Sequence, residues 1–250
     1  MFNNYFYIWF IGIPVLFFTI EFICKKYNLY QKKTINNNKE SSIVSQILTS
    51  CMCVTYLGIS GIILYKKYNN IIFDKNHLFD KNDDIINHII IPIILYQSWN
   101  TVITIMNKDL YSIYYVLHHI FVIILALMIL NNYFQYISII YFGIIEISNI
   151  FLSIIEYSKY EKYIINNKML YNINNLLFII SFYVLRIILF QYYNFFIYYL
   201  IISMYDILFS SKYIIQTITS LVINIVLTYL QCYWGFLIYK EIINKINKIN

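Results

Sequence analysis

Residues 110–157, LYSIYYVLHHIFVIILALMILNNYFQYISIIYFGIIEISNIFLSIIEY, decide the fold class. From Leu110 onward the first Asp, Glu, Lys or Arg is Glu146, and only Asn131-Asn132 interrupts the apolar run with turn chemistry. A helix needs roughly 20 apolar residues to cross the hydrocarbon core of a bilayer. The stretch therefore predicts two spans, 110–130 and 133–157, joined by a tight turn. Working outward, the same character recurs at 5–24, broken only by Pro14, at 43–65 without any charge, and at 85–106. The first of these lacks the basic start and small-residue cleavage site of a signal peptide, so a retained helix is expected. Beyond a polar loop with Lys159, Glu161, Lys162 and Lys168, apolar sequence resumes near Ile173 and hardly stops before Tyr239. That region holds two long helices or three shorter ones.

The composition agrees. Of 250 residues, 60% are hydrophobic and 12% charged, and the mean hydropathy is +0.63. Soluble chains carry about a quarter charged residues. A secreted disulfide scaffold, a cytosolic dinucleotide-binding enzyme and a disordered tail are excluded, and an all-α polytopic membrane protein is expected. Ile, Asn, Tyr, Lys and Phe are abundant throughout, so Asn- and Lys-rich loops say little. The net charge of +6 favours anionic lipid head groups and is not gathered into a nucleic-acid footprint. Cys24 ends a span, while Cys51, Cys53 and Cys232 lie in apolar segments. Such thiols behave as small apolar residues, so neither a disulfide framework nor a metal site is inferred.

Loop charge sets the expected topology, because Lys and Arg in short loops collect on the cytosolic side. Seven spans with the N-terminus outside place twelve lysines in cytosolic segments: Lys25, Lys26, Lys32, Lys33, Lys39, Lys108, Lys159, Lys162, Lys168, Lys240, Lys245 and Lys248. Five lie outside: Lys66, Lys67, Lys75, Lys81 and Lys212. An eighth span weakens the bias to ten against seven. Seven is the better reading, with residues 195–211 as a helix extension or a re-entrant piece. The 66–84 loop is the most polar stretch and does not suggest a separate domain. No internal repeat is evident.

Polar side chains inside hydrocarbon are costly and usually face a bundle interior or a cavity. Gln97, Asn100 and Thr104 share one helical face, as do Glu146, Asn149, Ser153 and Glu156. The last span offers Asn224, Thr228 and Gln231, and the sixth carries Arg186, the chain's only arginine. At 1.5 Å rise per residue, His118 and Asn149 each lie about 12 Å from the cytosolic ends of their helices, Asn100 about 9 Å, Glu146 about 17 Å and Arg186 about 20 Å. Five helices thus direct polar groups into one slab, which predicts a polar cavity opening to the cytosol. For the 97–104 stripe, simple helix–helix hydrogen bonding is an even competitor. Arg186 is a structural partner for Glu146 or snorkels. Glu21 is expected to pair with Lys25 one turn on, Glu156 to be solvated, and His88 to have no role. His118-His119 is different, since two adjacent imidazoles meet no packing need that Leu would not meet better. Adjacent histidines on a helix point about 100° apart and chelate poorly, so catalysis or lipid contact outranks metal binding.

Five fragments in order carry a resemblance: YQSWNT (96–101), VLHHI with His118 and His119, EISNIFL with Glu146, Ser148 and Asn149, FYVLRII with Arg186, and LQCYWGFLIYK with Trp234. Together they resemble the TLC domain family, which includes ceramide synthases, translocating-chain-associated membrane proteins and lipid-homeostasis proteins of the endoplasmic reticulum. The resemblance implies a TLC domain over 43–240, preceded by an N-terminal transmembrane helix and cytosolic loop (1–42) and followed by a cytosolic tail (241–250). Its implied architecture is a six-helix barrel plus one helix. The sequence departs from the ceramide synthases: Ile145, Glu146 and Asn149 stand where those carry His-Asp-x-x-Asp, and Asn100 replaces an aspartate. This resembles the non-synthase branch.

Lipid handling is accordingly expected. His118, His119, Asn100, Glu146, Asn149 and Arg186 would meet a membrane lipid such as a sphingoid base or a fatty acyl chain, with no cofactor and no nucleic acid. The alternative is an acyl-CoA-dependent N-acyltransferase in which His118 or His119 acts as base or nucleophile, with acyl-CoA as co-substrate. A second alternative is a scaffold beside the translocon. The resemblance implies the endoplasmic reticulum membrane, and the loop charges imply a lumenal N-terminus and a cytosolic C-terminus.

Overall fold

A computed structural model describes residues 4–27, 37–72, 74–107, 110–160, 167–210 and 212–247. Lys32, Lys33, Lys108, Glu161, Lys162 and Lys248, used in the sequence reading, lie outside the described residues. Among the described residues, seven helices are long and apolar enough to cross a membrane. We label them α1 (Asn4–Tyr27), α2 (Asn37–Tyr68), α3 (Asp83–Met106), α4 (Ile113–Leu130), α5 (Gln135–Ser158), α6 (Lys168–Ser203) and α7 (Ile214–Asn247). The protein is an all-α polytopic membrane protein, as the hydropathy predicts. Among the described residues of 195–210 no eighth span appears: α6 runs on to Ser203 and is followed by one short helix, Tyr205–Leu208.

Three of the spans are not pure α-helix. A wider π-type turn occupies Ile86–Ile90 in α3, Ile139–Gly143 in α5 and Phe182–Leu189 in α6. In α5 a tight 3₁₀ turn, Ile144–Glu146, follows directly. Each insertion rotates the side chains beyond it relative to a regular helix, and such turns are frequent at functional sites.

The chain divides into two compact units, one ending at Phe178 and the other beginning at Ile179. In the first, α2 is the central helix and packs on α1, α3 and α5, while α3 also packs along α4. Glycine permits the closest of these crossings. A Cβ on Gly61 would stand 2.7 Å from the Ile144 backbone nitrogen and 2.8 Å from Gly143, and one on Gly58 would stand 2.8 Å from Ile147. Small residues that let helix backbones approach are the usual means of packing in membranes, where no hydrophobic effect drives helices together. Around this crossing Ile89, Ile90, Ile93, Ile139 and Ile140 are completely buried.

One end of this unit is closed by the polar 66–84 segment. Asp74 caps a short turn, the Phe134 amide donates to Leu78 O at 2.9 Å, and the Asn82 amide donates to Gln135 Oε1 at 2.7 Å. Gln135 is fully buried, and the turn from α4 into α5 is made by left-handed Asn132 (φ 63°) and Phe134 (φ 56°). Asn suits that conformation; Phe is uncommon in it. Near the same end, Tyr56 on α2 bonds His88 Nδ1 on α3 at 2.7 Å, and Tyr5 and Trp9 of α1 meet this pair edge-on. His88 therefore ties helices together, a role its sequence position did not disclose. Glu21 pairs with Lys25 at 2.9 Å, as the one-turn spacing predicts.

In the second unit, the later part of α6 lies against α7. Tyr183 donates to Gly235 O at 2.8 Å, Asn194 Nδ2 to Thr228 Oγ1 at 3.0 Å, and Thr217 Oγ1 to Leu208 O at 3.0 Å.

Candidate functional site

The polar centre of the first unit is assembled from three helices. On α2, Gln46, Thr49, Ser50 and Cys53 recur at helical spacing and so share one face. Opposite them, α3 presents Tyr96, Gln97, Trp99 and Asn100. From α5 come Glu146, at the end of the 3₁₀ turn, and Asn149, three residues on. Gln46, Gln97, Asn100 and Glu146 are all buried, Glu146 with only 4% exposure.

Hydrogen bonds connect these groups. Gln46 Nε2 donates to Asn100 Oδ1, Ser50 Oγ donates to the same oxygen at 3.2 Å, and Trp99 Nε1 donates to Gln46 Oε1 at 3.1 Å. The buried Tyr96 hydroxyl interacts with Ser50 and Asn100 and has Glu146 within electrostatic reach. Glu146 Oε2 accepts from Asn149 Nδ2 at 2.6 Å. Asn100 is thus bonded to α2 and Asn149 to Glu146, while Tyr96, beside Asn100, lies within electrostatic reach of Glu146. Gln97 Oε1 and Thr49 Oγ1 are buried and have no hydrogen-bond partner among the described residues. Asn149 and Ser50 are half-buried and form the accessible rim.

The histidine pair stands on α4. Its rings are 5.7 Å apart and inclined at 56°, and both side chains are half-buried, facing neither the middle of the core nor fully outward. His119 Nδ1 is buried without a hydrogen-bond partner among the described residues. One turn earlier, Tyr115 lies within electrostatic reach of Glu156 on α5, which in turn holds Lys159 at 2.7 Å. The remaining polar residues of the α5 stripe bond locally: Ser148 Oγ to Ile145 O at 3.0 Å, and Ser153 Oγ to Asn149 O at 2.8 Å.

Arg186 belongs to the second unit. It is buried within the π-type turn of α6, and its Nη1 donates to Gln231 Oε1 on α7 at 3.5 Å, the long limit of a hydrogen bond. Asn224 and Gln231 are buried on α7, with Thr228 between them bonded to Asn194, so the stripe read from the sequence does face inward.

Four members of the first cluster escape a search for charges and histidines: Gln46, Ser50, Tyr96 and Trp99. The signal was present on α2 as the spacing of positions 46, 49, 50 and 53 within an otherwise apolar run.

Helices of this length around a buried polar centre define a multi-pass membrane protein. A family model for the TLC domain matches residues 2–240, and the chain belongs to the TLC domain family. No curated protein and no solved structure matches it significantly.

Proposed function

We propose that this TLC-domain protein handles a membrane lipid, whose head group engages the cluster formed by Gln46, Tyr96, Asn100, Glu146 and Asn149. The observation that carries this reading is a carboxylate buried at the meeting of α2, α3 and α5, with polar atoms of Gln97 and Thr49 nearby that no described side chain satisfies. Holding helices together needs only isolated polar pairs, each contributing about 0.6 kcal/mol. A convergent cluster with one ionisable member is the arrangement expected of a ligand site in a membrane. The protein acts in lipid homeostasis in the endoplasmic reticulum membrane, with its N-terminus lumenal and its C-terminus cytosolic, the orientation that the loop lysines favour.

The test is native mass spectrometry of protein extracted in mild detergent. Wild-type protein is expected to carry a co-purified lipid, and Asn100→Leu and Glu146→Leu to lose it while eluting at the same volume in size-exclusion chromatography. Unchanged lipid occupancy in both variants overturns the proposal.

One observation favours a second reading, an acyl-CoA-dependent N-acyltransferase. The unpartnered, buried Nδ1 of His119 is a base available to a long-chain amine. In that case labelled acyl-CoA and a long-chain amine give an amide product that disappears with His119→Ala. Absence of product from folded wild-type protein removes this reading.

A further inference from the structure

The first helix is held unevenly along its length. α1 buries three residues, Ile13, Phe17 and Cys24, and all three lie at or beyond position 13. Phe17 meets the Trp99 ring edge-on at 5.3 Å, and the Cys24 thiol bonds Ser45 on α2. Between Asn4 and Gly12 no residue is buried. There the helix rests on two rings, with Tyr5 edge-on to His88 at 5.3 Å and Trp9 edge-on to Tyr56 at 4.8 Å. The boundary between these halves carries the two residue types that weaken a helix most. Pro14 has no N–H to give the Phe10 carbonyl, so the backbone ladder is interrupted at that turn. Gly12, two residues earlier, adds backbone freedom, and a Cβ there would meet nothing within 4 Å. Sharp bends in helices occur at such positions. A segment with few buried contacts, set beyond a break of this kind, belongs to the part of a fold that opens most readily.

We propose that α1 is a hinged strap: its C-terminal half stays fixed on Trp99 and Ser45, while its N-terminal half swings at Gly12–Pro14 and uncovers the Tyr56–His88 pair to the bilayer. His88 sits in the π-type turn of α3, about 8 Å along the helix axis from Asp83. One turn before it, Asp84 pairs with Lys67 at 2.6 Å, which marks the polar edge of the membrane. Under the closed strap the phenol and the imidazole bond each other at 2.7 Å. With the strap open, the same two groups offer hydrogen bonds to a polar head group moving sideways from the bilayer. The C-terminal half does not move in this scheme, so Trp99 keeps its bond to Gln46 at 3.1 Å. The device goes beyond the lipid-binding reading above, since α1 and its own contacts carry it.

Distances between paired spin labels in full-length protein, reconstituted in phosphatidylcholine nanodiscs, test the strap. Half-buried Cys51 and exposed Cys232 are first replaced by Ser, and buried Cys24 and Cys53 are kept. Labels on Tyr7→Cys and Leu127→Cys, both exposed positions, report the N-terminal half of α1 against α4. Labels on Phe22→Cys and Ile113→Cys, also exposed, report the C-terminal half against the same helix. Tyr7 lies about 10 Å beyond Pro14, where a bend of about 20° moves it by about 4 Å. The first pair is expected to give two distances that differ by about this much, and the second pair a single narrow one. Pro14→Ala restores the ladder and is expected to leave one distance at Tyr7. Trp9→Ala removes one edge-on contact and is expected to raise the open population about fivefold. The strap is overturned by a single narrow distance at Tyr7 in otherwise unaltered α1, by two distances that persist unchanged in Pro14→Ala, or by an open population that Trp9→Ala leaves unmoved. Two distances at Phe22 as well would mean that the whole helix shifts, which overturns the hinge. None of these outcomes depends on whether the Glu146 cluster binds lipid.

Discussion

Asn100 receives two hydrogen bonds from α2 on a single oxygen, so replacing it strands two partners at once. Asn100→Leu takes the acceptor from the buried Gln46 amide and from half-buried Ser50, and losing the partner of a buried donor costs about 1–3 kcal/mol. Thermal unfolding in detergent is expected to show a clearly lowered midpoint for this variant. The double variant Gln46→Leu with Asn100→Leu removes both ends of the Gln46–Asn100 pair and is expected to lose less than the two single variants combined; strict additivity means that the two amides are not coupled. Asn194→Leu in the second unit removes the bond to Thr228, a kind of contact that contributes about 0.6 kcal/mol between membrane helices. At this scale the sequence disclosed Asn100, Glu146 and Asn149, because their three-residue steps stand out against Ile and Phe. It hid Gln46 and Ser50, since uncharged polar residues in a hydrophobic span read equally well as helix contacts. Trp99 was hidden more completely: its part in the cluster depends on one N–H, and its ring satisfies an apolar pattern.

At the scale of elements, hydropathy located the first five helices but left residues 173–239 undivided, where the structure has α6 and α7, and the turn at Asn131-Asn132 sits where its chemistry placed it. The π-type turns left no trace in the sequence, because an i→i+5 hydrogen bond changes no composition. Yet the insertion at Ile139–Gly143, with the 3₁₀ turn after it, is what aims Glu146 into the cluster. The crossing of α2 and α5 directly beside it tolerates no side chain. Gly61→Ala would press a methyl group to within 2.8 Å of backbone atoms that cannot move aside, and overpacking of this kind costs about 1–3 kcal/mol. Gly12 is a matched control, since a Cβ there meets nothing within 4 Å. Gly12→Ala is expected to be neutral or to stabilise α1 by roughly 0.5–1 kcal/mol, as Ala does in a helix interior. Unfolding midpoints of the two variants measured side by side check both expectations. A Gly61→Ala protein as stable as wild type would mean that the helices do not cross this closely.

For the whole molecule, topology is the property that the lysines predict and that the helix count constrains. An odd number of spans puts the two ends of the described chain on opposite sides of the membrane. It also puts the 69–82 and 131–134 connections on one side, and these two meet through the bonds of Asn82 with Gln135 and of Phe134 with Leu78. The parity of the first five helices is thus supported by contacts independent of charge, while the proposed choice of side rests on the uneven distribution of lysines, twelve on one side against five on the other. Single-cysteine variants separate the two questions once Cys24, Cys51, Cys53 and Cys232 are replaced by Ala or Ser. In sealed microsomes with the cytosolic face outward, a membrane-impermeant maleimide is expected to spare Lys75→Cys and to label Lys159→Cys and Lys240→Cys. After detergent opens the vesicles, all three are expected to react. Labelling of Lys75→Cys with protection of the other two would reverse the orientation and leave the seven helices intact. Labelling that places Lys75 and Lys240 on the same side would instead require an even number of crossings, and with it a break in α6 or α7 that their continuous helices do not contain.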